Sequence, residues 1–176
     1  MASSMIQISD GNWVIQMNVN DLRALTMNPH FYALLIRSFL SGYEAPCKIE
    51  LVFMVIPIIV HSDTRKPLAT ASSKSRFETL YGHLRNKDTR LSGNALFAGF
   101  TERYLTLLPY SKIAVIILSS EKLITLNSDT IVAYQTIDYS TYSKPTRTWL
   151  RSTFYLGKVM RNTNFETVLN YCGVEM

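Results

Sequence analysis

Residues 48–60 are almost continuously apolar, and this run constrains the fold more than any other feature of the sequence. Its longest uninterrupted part, Leu51 to Val60, holds ten residues and contains Pro57. A bilayer span needs about 20 apolar residues, so the run reads as an element buried in a protein core. Its β-branched content is compatible with a buried strand. Its length and the polar turn after it favour a buried helix, bent or ended near Pro57. A chain of 176 residues is one domain, or one domain with an appended helical tail.

Around that run the remaining elements can be placed by their start and stop signals. Residues 1–20 read as an irregular arm with a short strand at Trp13–Met17. Asn28 is an N-cap and Pro29 suits a first helical turn. Phe31, Leu34, Leu35 and Phe39 then recur at helical spacing, with Gly42 as the stop. Lys66 to Lys74 is a Ser/Thr/Ala-rich loop. Ser75 with Glu78 reads as a capping box that opens a helix bearing Phe77, Leu80, Tyr81 and Leu84 on one face. A second polar loop runs to Gly93. Ala95 to Leu108 is the next helix, with Leu96, Phe97, Phe100, Tyr104 and Leu107 inward and Pro109 as its end. Residues 111–119 read as a short helix capped by Ser111, and their many aliphatic side chains assign it to the core. Leu123–Leu126 and Thr130–Tyr134 flank Asn127-Ser128-Asp129 in a β-hairpin pattern. After a polar connection at 135–145 comes a long helix at about 146–161. Thr163 with Glu166 is a second capping box, opening a last helix closed by Gly173. The expected class is mostly α, an α+β helical domain with a winged-helix-like hairpin over 1–134. Residues 135–176 are then a linker and a C-terminal helical tail packed on it.

Charged residues make up 18% of the chain, below the ~25% of ordinary soluble domains. Two readings are compatible with that: apolar surface kept for a partner, or a surface rich in Ser, Thr and Asn. The net charge of +5 allows nucleic-acid contact without demanding it. Cys47 and Cys172 are far apart and in no metal or redox spacing, as expected of free thiols in a reducing cytosol. The N-terminus lacks the order of a signal peptide, so the expected location is the cytoplasm with no membrane anchor.

Catalytic chemistry is hard to place. Of the three histidines, His30 lies in a first helical turn and His83 lies away from the apolar face of its helix. His61 is followed closely by Asp63 and Arg65, which ordinary loop hydrogen bonding explains better than general-base catalysis. No Gly-x-Ser-x-Gly, no Gly-x-x-x-x-Gly-Lys and no Gly-x-Gly-x-x-Gly occurs. No His, Cys, Asp or Glu spacing matches a metal site. The expectation is no enzyme, no cofactor and no metal.

The basic residues are distributed more informatively. Arg65, Lys66, Lys74, Arg76, Arg85, Lys87 and Arg90 crowd one stretch, either as a patch or as ordinary solvated surface. On the 146–161 helix, at ~100° per residue, Arg147, Arg151, Lys158 and Arg161 fall within an arc of roughly 80°. Lys144 extends the arc if the helix starts that early. Trp149, Leu156 and Met160 lie opposite. Phe154 sits inside the arc, where an aromatic can stack on a base or plug a partner's pocket, or is covered by a neighbouring loop.

Several segments together resemble the middle component of bacterial ABC-type three-component conflict systems. The carrying residues are Asn28-Pro-His-Phe-Tyr-Ala-Leu-Leu, then Val55-Ile-Pro-Ile-Ile-Val-His61 with Thr64-Arg65. They continue with Phe100-Thr-Glu-Arg, Leu107-Leu-Pro-Tyr-Ser-Lys, Leu123-Ile-Thr-Leu, and Trp149-Leu-Arg followed by Leu156-Gly. Where the family commonly has Leu-Pro after Thr-Arg, Lys66-Pro67-Leu68 stands here. The chain is also similar to the small subunit of the Lamassu antiphage defence systems. The resemblance implies a non-catalytic adaptor that bridges an SMC- or Rad50-like ABC ATPase and an effector, often a nuclease. DNA would then be met within the assembly. The alternative is a free-standing winged-helix DNA binder. Its recognition helix, 111–119, offers one lysine and too few of the Arg, Asn and Gln side chains that read base edges.

Overall fold

The computed structural model describes residues 6–9, 12–15, 27–82 and 96–174. Among them the chain is mostly helical, with two small antiparallel sheets. Strands β1 (Ile6–Ser9) and β2 (Asn12–Ile15) pair with each other, so the N-terminal segment holds a hairpin where the sequence predicts only one short strand. Met17 lies outside the described residues.

Helix α1 (Pro29–Tyr43) starts as its sequence requires: the Asn28 side chain accepts from the His30 N–H at 2.9 Å and Pro29 occupies the first turn. It does not stop at Gly42. Glu44 takes the left-handed conformation that ends the helix (φ 56°), its N–H donating to the Leu40 carbonyl. Gly42 has another duty, described below. After β3 (Cys47–Lys48), the apolar run forms α2 (Ile49–Val60). Leu51, Val52, Met54, Val55, Ile56, Ile58 and Ile59 are all buried, and the helix continues through the buried Pro57 to Val60. A short α3 (Ser62–Arg65) and a 3-10 turn (Lys66–Thr70) follow, so the expected loop at 66–74 is helical in its first half.

Helix α4 (Phe77–Tyr81) lacks the predicted capping box. Ser75 Oγ accepts from the Ser72 N–H instead, closing the turn before the helix. His83, Leu84 and Gly93 lie outside the described residues. Helix α5 (Phe100–Ser120) joins the two helices expected at 95–108 and 111–119 into one. Pro109 does not break it. Pro109 is exposed, so its ring and the hydrogen bond it forfeits fall on the outer side of the helix. Ser111 therefore caps nothing; it is buried and its hydroxyl donates to the Leu107 carbonyl.

Strands β4 (Ile124–Leu126) and β5 (Thr130–Ala133) form the predicted hairpin around Asn127–Asp129. β3 joins it across β5 with Cys47 opposite Ile131, giving the strand order β3-β5-β4. A 3-10 turn (Tyr139–Thr141) leads to α6 (Lys144–Arg161) and α7 (Phe165–Cys172), the latter closed by Gly173 at φ 65° as its sequence predicts. The second capping box is absent. Thr163 Oγ1 donates to the Val159 carbonyl and accepts from the Phe77 N–H, tying α6 to α4 rather than opening α7.

The most extensive helix pairing is α1 against α6, and α5 covers α1 and α2 from another side. The α1–α6 contact is made backbone to backbone. A Cβ on Gly42 would overlap the Phe154 carbonyl, and a Cβ on Gly157 would overlap the Phe39 carbonyl. Two facing glycines thus let the helix axes approach closely. Polar contacts fasten the same seam: Ser38 Oγ donates to the Leu150 carbonyl at 2.8 Å, and Lys158 pairs with Glu44 at the end of α1.

Candidate interaction surfaces

The Thr64-Arg65 pair turns out to be a structural clamp. The last carbonyls of a helix have no partner within the helix. At the end of α2, Thr64 Oγ1 donates to the Ile58 carbonyl at 2.5 Å and to the His61 carbonyl at 3.1 Å, and Arg65 Nη1 donates to the Ile59 carbonyl at 2.9 Å. The arginine also brings a positive charge to the negative end of the helix dipole. Its guanidinium lies over the Trp149 ring, 3.9 Å from the centroid, and Trp149 meets Phe31 edge-on. Two residues further on, Arg151 Nη1 donates to the Ala69 carbonyl at 2.9 Å. The Trp149-Leu-Arg and Thr64-Arg65 segments therefore serve one purpose, fixing residues 61–70 onto α6. In the Lys66-Pro67-Leu68 replacement, Pro67 and Leu68 are buried, so this loop is anchored in the core.

Asp63 is hydrogen-bonded by Lys66, at 3.1 Å, and by Ser62, and the Lys66 ammonium holds its carboxyl below the usual range. Partial burial, and next the Arg103 charge, lower the His61 pKa from its ordinary 6.5. Its Nδ1 is buried without a hydrogen-bond partner among the described residues. Burial pushes the Cys47 and Cys172 thiols up, so neither is a thiolate at neutral pH. Among the described residues, no group of three or more His, Cys, Asp or Glu is placed to hold a metal ion, and no helix is long and apolar enough to cross a membrane.

Along α6, Leu156 and Met160 are buried and Trp149 is half-buried, while Arg147 and Arg161 are exposed and Arg151 and Lys158 half-buried. The helix begins at Lys144, which therefore joins the arc. The structure also shows how the arc is held. Arg147 Nη2 donates to the Tyr142 carbonyl, Arg151 reaches Ala69 and lies over Tyr155, and Arg161 Nη1 donates to the Tyr43 carbonyl. A carbonyl orders an arginine without cancelling its charge, whereas Glu44 does neutralise Lys158. Phe154 is half-buried between Tyr139 and Tyr155, with ring centroids 5.5 and 5.7 Å away, so it belongs to a local aromatic cluster. Of the second basic stretch, Arg65 is spent on the clamp and Lys66 on Asp63. Lys74 and Arg76 are exposed, and Arg85, Lys87 and Arg90 lie outside the described residues.

Two further features were not anticipated from sequence. Beside the short pairing of β3 with β5 at Cys47 and Lys48 lies a cleft of about 400 Å³, lined by Leu40, Glu44, Pro46, Val132 and Tyr134. On α5, Leu105, Ile113 and Ile116 are 63%, 45% and 64% exposed. The 111–119 segment is thus core only at Ser111, Ala114, Val115 and Leu118. The available signal was the spacing 105, 109, 113, 116, which runs along one face of a continuous helix and is lost when a break is assumed at Pro109.

No curated protein and no solved structure matches the chain. The family described as ABC-three component system Middle Component 3 matches residues 17–176. That span takes in α1 to α7, with the clamp, the glycine seam and the basic face of α6. The chain therefore belongs to the Middle Component 3 family of ABC-three component systems, and its partners are the other components of such a system.

Proposed function

We propose that the protein is a non-catalytic adaptor that bridges an SMC- or Rad50-like ABC ATPase and an effector, often a nuclease, in a cytoplasmic defence assembly of the kind to which Lamassu belongs. The observation that carries this reading is the face of α6. Lys144, Arg147, Arg151 and Arg161 keep their charge, α6 contains no acidic residue, and three of the four are ordered by backbone carbonyls. A surface whose long side chains are already ordered loses less entropy when it meets an acidic partner or DNA held in the assembly. It also steers approach over about a Debye length, ~8 Å at physiological salt.

The test is affinity capture of the tagged full-length chain co-expressed with its neighbouring genes. The wild type should bring down an ATPase and an effector. The double reversal Lys144→Glu/Arg147→Glu, on the exposed end of the helix, should lower recovery of one of them about tenfold at physiological salt, with the thermal midpoint unchanged. Capture of neither component by the wild type refutes the bridging role.

A DNA-binding reading is favoured by one observation. A strand between α1 and α2, a hairpin directly after α5 and the order β3-β5-β4 are compatible with winged-helix connectivity, with α5 in the recognition position. A salt-dependent mobility shift with the isolated protein would support that alternative.

A further inference from the structure

We propose that the outer face of α5 is a second docking surface, built for an amphipathic helix of another component that carries a carboxylate in its apolar face. The inference rests on the adaptor reading, since a bridge needs two separate surfaces. At ~100° per residue, Leu105, Pro109, Lys112, Ile113 and Ile116 share an arc of roughly 100° and extend about 16 Å along the helix. Leu105 and Ile116 are each more than 60% exposed, and Ile113 is 45% exposed. Single exposed aliphatics are ordinary, but three aligned with a proline on one helix face form a patch.

The chemistry of the occupant follows from the one charge in the patch. Lys112 is the only charged residue between Arg103 and Glu121. It is exposed, and neither ion pair found among the described residues involves it. Covering the stripe takes water from this ammonium, and a buried unpaired charge is costly, so the covering surface must bring an Asp or Glu to it. DNA does not fit, because three aliphatic side chains and one lysine neither read base edges nor line a phosphate track. A second copy does not fit either. The midpoint of the stripe lies between residues 110 and 111, beside Lys112. A two-fold contact centred there would bring two Lys112 ammonium groups together with no carboxylate between them. An amphipathic helix with a carboxylate at its centre meets both demands, laying its apolar side along Leu105 to Ile116.

The test uses the full-length chain co-expressed with the other components of its system. Ile116→Lys should lower recovery of one component at least tenfold, while recovery of the component lost with Lys144→Glu/Arg147→Glu and the thermal midpoint stay unchanged. Lys112→Glu should lower the same component as Ile116→Lys, and Lys112→Arg should retain it. If Ile116→Lys lowers the midpoint, the Lys112 pair decides, since it changes only an exposed charge. Undiminished recovery of every component by both Ile116→Lys and Lys112→Glu overturns the proposal. So does light scattering that shows a wild-type dimer split by Ile116→Lys, which makes the occupant a second copy, and so does a DNA mobility shift abolished by it. If the wild type captures neither ATPase nor effector, the adaptor reading fails and this surface falls with it.

Discussion

The two longest described helices, α5 and α6, solve opposite problems. α6 sorts its residues by side, burying Leu150, Leu156, Val159 and Met160 and turning its cations outward. Most of those cations are tied to α1, to the 3-10 turn or to neighbouring turns. α5 is longer and sorts less well: it buries Leu107, Ala114, Val115 and Leu118 and leaves Leu105, Ile113 and Ile116 in water. The apolar excess of α5 is left uncovered, while the charge of α6 is ordered by its own chain. A helix tied down by its own fold should be sensitive to small changes in shape. One that faces a partner should tolerate change in isolation and show its cost only in assembly.

The strongest way to break that contrast is at the glycine seam. Gly157→Ala raises intrinsic helix propensity by ~1 kcal/mol, so on propensity alone it stabilises. Here the added methyl meets the Phe39 carbonyl and the Tyr43 backbone, which no rotamer change can relieve. The helices must separate, and unfolding free energy should fall by about 3 kcal/mol, at the upper end for overpacked cores. Urea denaturation measures it; an unchanged or higher midpoint shows that α1 and α6 are not in backbone contact. An alanine at Ile113 or Ile116 should shift the same curve by less than ~0.5 kcal/mol, the usual range for surface positions.

A smaller effect separates clamp from catalysis at residues 61–65. Thr64→Val keeps the shape of the side chain and removes the hydroxyl that serves the Ile58 and His61 carbonyls. Thr64 is fully buried, so those acceptors lose a partner where water does not reach, and stability should fall by about 2 kcal/mol. Chemical denaturation measures the loss. A role confined to chemistry leaves the denaturation midpoint where it was.

What the sequence made legible follows from how local each signal is. Asn28-Pro29, the hairpin around Asn127–Asp129 and Gly173 are set by neighbouring residues, and all three stand in the structure. The capping boxes failed because Ser75 and Thr163 had other partners, one in its own turn and one on α4. Gly42 read as a stop because its function needs Phe154, more than a hundred residues away. In the sequence, Arg65 reads as a patch cation and Trp149 as a residue of an apolar face. Only the fold puts the guanidinium on the ring. The exposed stripe of α5 is hidden by the rule that proline ends a helix, which holds neither at the exposed Pro109 nor at the buried Pro57.

Pro109 gives the finest test of the comparison. Proline in a helix interior costs up to ~3 kcal/mol relative to alanine, through the missing donor and the ring's contact with the preceding turn. Because Pro109 is exposed, solvent offsets part of that cost, and Pro109→Ala should raise unfolding free energy by about 1 kcal/mol. The denaturation midpoint of the isolated chain reads this directly. If stability rises and capture of the partner components is retained, the proline is tolerated by α5 and shapes nothing. If stability rises while capture falls, the exposed ring of Pro109 is part of the surface that the partner reads, and α5 has kept a less stable helix for the sake of its outer face. A fall in stability places the proline ring among the packing contacts of α5 and removes the contrast with α6 at this point.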